Sequence, residues 1–140
     1  MIQRPQSIYL LLGAALLAAF VALGHVWSPG VSGMYPWLGT VTYVLAVLTA
    51  AVALGAIFLY KDRARQRRVI GAAQALDLLL VLPLLVGLYS TTSDATVAEG
   101  TAYESYLVAL VPLVAYVLLR MARSGVDRDI STVRSMDRLR

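Results

Sequence analysis

The sequence predicts an all-α integral membrane four-helix bundle, with both termini cytoplasmic and a short amphipathic segment at the C-terminus. Three observations predict it. Of 140 residues, 59% are hydrophobic and only 14% charged, and the mean hydropathy is +0.73; a soluble domain this small could not hide such an apolar excess. Four apolar stretches reach the roughly 20 residues needed to cross a hydrocarbon core. The 12 Lys and Arg residues fall in three segments that four crossings place on one side.

The first span is predicted over residues 7–26. Arg4 before it and Ala22-Leu23-Gly24 near its end also have the layout of a secretory signal peptide, but the run is long enough to span and further spans follow. The connection WSPGVSGMYP (27–36) carries two Pro and two Gly, and Pro36 suits a first helical turn, where its missing N–H is not needed. The second span is predicted over 37–60, and the basic run KDRARQRR (61–68) joins it to the third, over 69–89. The polar stretch STTSDATVAEG (90–100) precedes Thr101 and Glu104, which have capping-box spacing for a fourth span over 102–121. In the tail, 122–140, a Ser124-Gly125 break precedes Val126, Ile130 and Val133 at helical spacing, with Arg128, Arg134 and Arg138 on other faces. This pattern suggests an amphipathic segment that docks on a cytoplasmic partner or lies on the inner leaflet.

Charge and hydropathy are independent signals, and they agree on the topology. Arg4 precedes the first span; Lys61, Arg63, Arg65, Arg67 and Arg68 join the second and third; Arg120, Arg123, Arg128, Arg134, Arg138 and Arg140 end or follow the fourth. The accumulation of Lys and Arg in cytoplasmic loops places all of them inside, in contact with lipid headgroups or a partner. The location expected is the bacterial inner membrane. The opposite side carries Asp94, Glu99 and Glu104. Tyr9 and Tyr60 near inner ends, and Trp27, Tyr35, Trp37, Tyr89, Tyr103 and Tyr106 near outer ones, read as depth anchors in the headgroup layer.

The start MIQRPQSIYLLLGAALLA and the ending VRSMDRLR, joined to this layout, resemble a family of small four-span bacterial integral membrane proteins catalogued only as a domain of unknown function. The specific part of the likeness is Met1-Ile2-Gln3-Arg4, Gln6, Tyr9 and Asp137-Arg138-Leu139-Arg140. Pro5 departs from the larger apolar residue the family pattern leads one to expect. The resemblance implies a fold and a location, and no reaction.

Asp77 is the sharpest chemical feature. It lies eight residues into the third span, about 12 Å deep, where a charged carboxylate costs roughly 2.5–3.5 kcal/mol on insertion scales. It must face other helices and either hold a proton or find a partner. Depth matching places Thr49 and Pro112 within about a turn of its level. Pro112 leaves the Val108 carbonyl without its helical donor, so that a neutral Asp77 could donate to that carbonyl or to Thr49. Gln74, three residues earlier, extends the polar stripe. The stripe reads either as an interhelical hydrogen bond, worth about 0.6 kcal/mol in membranes, or as a proton or cation step.

Other chemistries find little support. No metal, cofactor or nucleic-acid partner is expected: the chain has no cysteine and a single histidine, His25, which reads as an interfacial polar residue. Asp94, Glu99 and Glu104 are too sparse for a calcium loop. The basic run lacks interleaved aromatics and is tethered to spans at both ends, which favours lipid headgroups over nucleic acid. No nucleophile-base pair or phosphate cradle argues for an enzyme. Ala14 with Ala18, Ala18 with Ala22, Ala46 with Ala50, and Ala51 with Gly55 have the four-residue spacing that lets helices approach closely, in a bundle or in a homo-oligomer. The leading expectation is a structural or accessory subunit that docks on a larger membrane complex through helix faces and its tail. The alternative is a small homo-oligomeric transporter or channel using Asp77 and Gln74.

Overall fold

The computed structural model describes residues 5–24, 31–32, 35–93 and 99–137, with side chains for 6–24, 31–32, 35–89, 106–133 and 135. Four helices follow one another: α1 (Pro5–Ala22), α2 (Pro36–Phe58), α3 (Arg63–Ser93) and α4 (Glu99–Asp137). Each packs on its neighbours in sequence, and α1 on α4 closes the ring.

The ring is antiparallel throughout. The Gln66 Nε2 group of α3 donates to the Ala56 carbonyl near the end of α2, at 3.0 Å. Arg63 and Arg67, at the start of α3, pair with Asp129 and Asp127, late in α4. Gly125 of α4 lies on Gln6 of α1, and Gly13 on Ala115 and Leu119. Gly24, just past α1, meets the Tyr43 ring of α2. The described basic side chains therefore gather at one end of the bundle.

Local chemistry explains the helix starts. Pro36 opens α2, as its fixed φ predicts. Asp62 caps α3: its Oδ1 accepts from the Arg65 N–H at 3.0 Å and its carbonyl from the Gln66 N–H at 2.9 Å, satisfying donors that a helix start leaves open. The basic run is thus no loop. The connection shrinks to residues 59–62, and Arg63 to Arg68 form the first turns of α3. The capping box expected at Thr101 and Glu104 falls on side chains outside those described; the helix starts at Glu99.

Burial follows alternating steps of three and four residues. In α2 the buried set is Gly39, Thr42, Ala46, Thr49, Ala53 and Ala56; in α4 it is Val108, Pro112, Ala115, Leu119, Ala122 and Val126. In α3 it includes Gln66, Ile70, Ala73, Asp77, Leu80 and Leu84. This 3.5-residue repeat is that of left-handed bundles with knobs-into-holes packing. It corrects the small-residue pairs read from sequence: Ala14 and Ala46 are buried, but Ala18, Ala22 and Ala51 are exposed.

The tail also differs from expectation. α4 runs unbroken through Ser124 and Gly125 to Asp137. Val126 is fully buried and Ile130 packs on the core, because both continue the inward stripe of α4. The apolar face read as amphipathic is therefore mostly spent inside the bundle.

Outward faces are apolar: Leu11, Val44, Phe58, Leu82, Leu107 and Val117 are among many exposed large side chains. Among the described residues, α2, α3 and α4 are long and apolar enough to cross a membrane, while α1 is a shorter apolar helix.

Candidate functional site

Two apolar clusters fill the bundle. The one toward the basic end holds Leu10 and Ala14, Ala53 and Ala56, Ile70 and Ala73, and Leu119, Ala122 and Val126. The far cluster holds Leu17 and Phe20, Ala46, Leu80 and Leu84, and Val108 and Ala115. On α2 the residue at the seam is Thr49, and on α3 it is Asp77. A polar level therefore interrupts the core where depth matching placed these two.

Asp77 is fully buried, and both of its carboxyl oxygens lack a hydrogen-bond partner among the described residues. The bonds expected to Thr49 or to the Val108 carbonyl are not made. Thr49 instead donates from Oγ1 to the Leu45 carbonyl of its own helix at 2.7 Å, as Thr42 does to Leu38 at 2.8 Å; a buried hydroxyl takes the nearest free lone pair, one turn back. Pro112 is fully buried but lies among the far cluster's residues, a turn from the seam.

Gln74 shares the inward face of α3 and is 5% exposed. Its Oε1 accepts from Arg123 Nη1 of α4 at 3.0 Å, while its Nε2 has no partner. The guanidinium passes close over Gly71, where a Cβ would lie 3.4 Å from Arg123 Nη1. Sequence reading assigned Arg123 to the cytoplasmic charge and missed this reach. It also missed Gln66, fully buried, whose Oε1 has no partner. The signal for Gln66 was its place in the 3.5-residue repeat.

Some of the basic residues are held by contacts within the chain, Arg65 and Arg67 among them at the surface. Arg65 pairs with Asp62 at 3.1 Å, Arg67 with Asp127 at 2.6 Å, and Arg63 with the Asp129 carbonyl at 3.2 Å. Lys61, Arg68, Arg120 and Arg128 are exposed. Arg4, Arg138 and Arg140, with His25, Trp27 and Asp94, lie outside the described residues, as do the side chains of Glu99, Tyr103 and Arg134.

The described residues define a small all-helical protein: an antiparallel ring with an apolar exterior, one basic end and a buried polar seam, with three helices long and apolar enough to cross a membrane. The chain belongs to the family described as "Domain of unknown function (DUF4293)", whose family model matches residues 2–139, as the residues at its two ends imply. No curated protein and no solved structure matches it.

Proposed function

We propose that this protein is an accessory subunit of the bacterial inner membrane, with all four helices spanning and both termini cytoplasmic, which docks on a larger complex through its apolar faces and the projecting end of α4. The basic end supports the orientation, because Lys and Arg are retained on the cytoplasmic side. For α1, 18 helical residues rise about 27 Å, close to the hydrocarbon thickness.

The end of α4 carries the docking reading. Its root is fastened by buried Val126 and by the Asp127 and Asp129 pairs to α3. Beyond Ile130, Ser131, Thr132, Val133 and Ser135 are exposed, on a helix that continues to Asp137. Helix that makes no packing contacts is seldom stable alone. Here a rooted helix extends a stiff, mostly polar post past the start of α3, suited to recognition by a cytoplasmic surface. Lys61, Arg68 and Arg128 are free to meet anionic headgroups.

The test is mild-detergent purification of the full chain and of a chain ending at Ile130, with their thermal midpoints compared. The expected result is a stoichiometric partner that the full chain retains and the shortened one loses, at equal thermal midpoint. A partner retained by both, or a full chain that isolates only as copies of itself, would sink the proposal.

A further inference from the structure

Three buried atoms on neighbouring turns of α3 have no partner among the described residues: Gln74 Nε2, Asp77 Oδ1 and Asp77 Oδ2. Their residues stand three apart on α3, about 4.5 Å along its axis and on one face. Buried polar atoms without a protein partner are ordinarily satisfied by water. The chemistry here is complementary, since a water can accept from the Gln74 amide and donate to the Asp77 carboxyl.

The polar neighbours of Asp77 on α3 lie on one side. Toward the far end, Leu80 and Leu84 belong to the apolar cluster and are 0% and 3% exposed. Toward the basic end Ile70 and Ala73 are buried as well, but Gln74 beside them bonds to Arg123, which is partly exposed. The charges around the seam select what can enter. α2 carries no charged side chain, with Tyr43 its one titratable group; α4 brings Tyr116, Arg120 and Arg123. A guanidinium at the entry and a single carboxyl disfavour a metal cation, which needs several oxygen ligands. A proton needs no such shell.

From this geometry we infer that the Asp77 carboxyl is a proton-exchange site open to the arginine-bearing end of the bundle through water held at Gln74. Uptake joins the hydronium proton to a carboxylate oxygen and leaves neutral water; release reverses the step. The inference goes beyond the docking role and stands without it.

The test is infrared difference spectroscopy of the full chain in lipid nanodiscs, between acidic and alkaline baths, in H2O and in D2O. The expected result is a protonated-carboxyl C=O band that shifts in D2O, disappears in Asp77→Asn, and takes up deuterium more slowly in Gln74→Leu. If Asp77→Asn fails to assemble, Asp77→Glu serves, and the band should move in frequency. Spectra unchanged by either Asp77 substitution, a band indifferent to D2O, or exchange in Gln74→Leu as fast as in the unaltered chain would overturn the inference.

Discussion

Arg123 of α4 donates from Nη1 to Oε1 of Gln74 on α3 across 3.0 Å, so that a residue counted among the cytoplasmic charges reaches a side chain that is nearly sealed in the bundle. Side-chain hydrogen bonds between helices in membranes average about 0.6 kcal/mol and reach about 1.7. A double-mutant cycle of Arg123→Ala and Gln74→Ala, read from unfolding in mixed micelles, should give a coupling energy of about 1 kcal/mol. Strictly additive effects would show that the two side chains do not act together.

Asp77 presents the reverse case, a buried group with no protein partner to lose among the described residues. Exchanging a buried polar side chain that has no protein partner for an apolar one of similar volume removes the cost of burying that group, about 1–3 kcal/mol. Asp77→Val should therefore raise the unfolding midpoint. A lowered midpoint would mean that the carboxyl has a stabilising protein partner.

Two glycines should respond oppositely to the same change. A Cβ at Gly55 meets no heavy atom within 4 Å, so Gly55→Ala should stabilise α2 by about 0.5–1 kcal/mol through helix propensity. A Cβ at Gly87 would come within 3.0 Å of the Val31 backbone and 2.6 Å of its Cγ2. Gly87→Ala should cost about 1–3 kcal/mol by overpacking. Thermal midpoints of the two variants on one scale decide the sign of each.

The topology is directly measurable because the chain has no cysteine. Single replacements at Lys61 and Val133, both exposed near the basic end, should react with a membrane-impermeant thiol reagent only in inverted vesicles; one at Tyr35, exposed at the far end, should react only in right-side-out ones. Lys61 and Val133 labelling from opposite sides would reject the antiparallel crossing of all four helices.

The helices were visible in the sequence because length and apolarity are what lipid selects. The inward faces were not. In α2 the outward side is as apolar as the inward one, and Val44, Val47 and Leu48 are exposed while Ala46 and Thr49 are buried, so hydropathy carries no contrast between them. Ser124-Gly125 misled for a related reason. Their helix-breaking tendency is small beside the packing of Val126 and Ile130, and Gly125 serves close contact instead, with a Cβ there lying 3.2 Å from Gln6 Cβ. Thr49 and Asp77 each fall between the two apolar clusters on their own helices, but what each hydroxyl or carboxyl reaches depends on rotamers that spacing does not fix.

The uninterrupted course of α4 has a mechanical corollary. From Asp137 back to Arg123 the helix rises about 21 Å, and the Gly/Ser pair on the way, Ser124-Gly125, is the kind of place where helices bend, here braced by buried Val126 and by Gly125 against Gln6. A tug on the outer turns is passed inward as far as that packing holds, and the next side chain along the helix is the one that reaches Gln74. Whatever grips that lever also pulls on the guanidinium bonded to Gln74, the neighbour of Asp77 on α3.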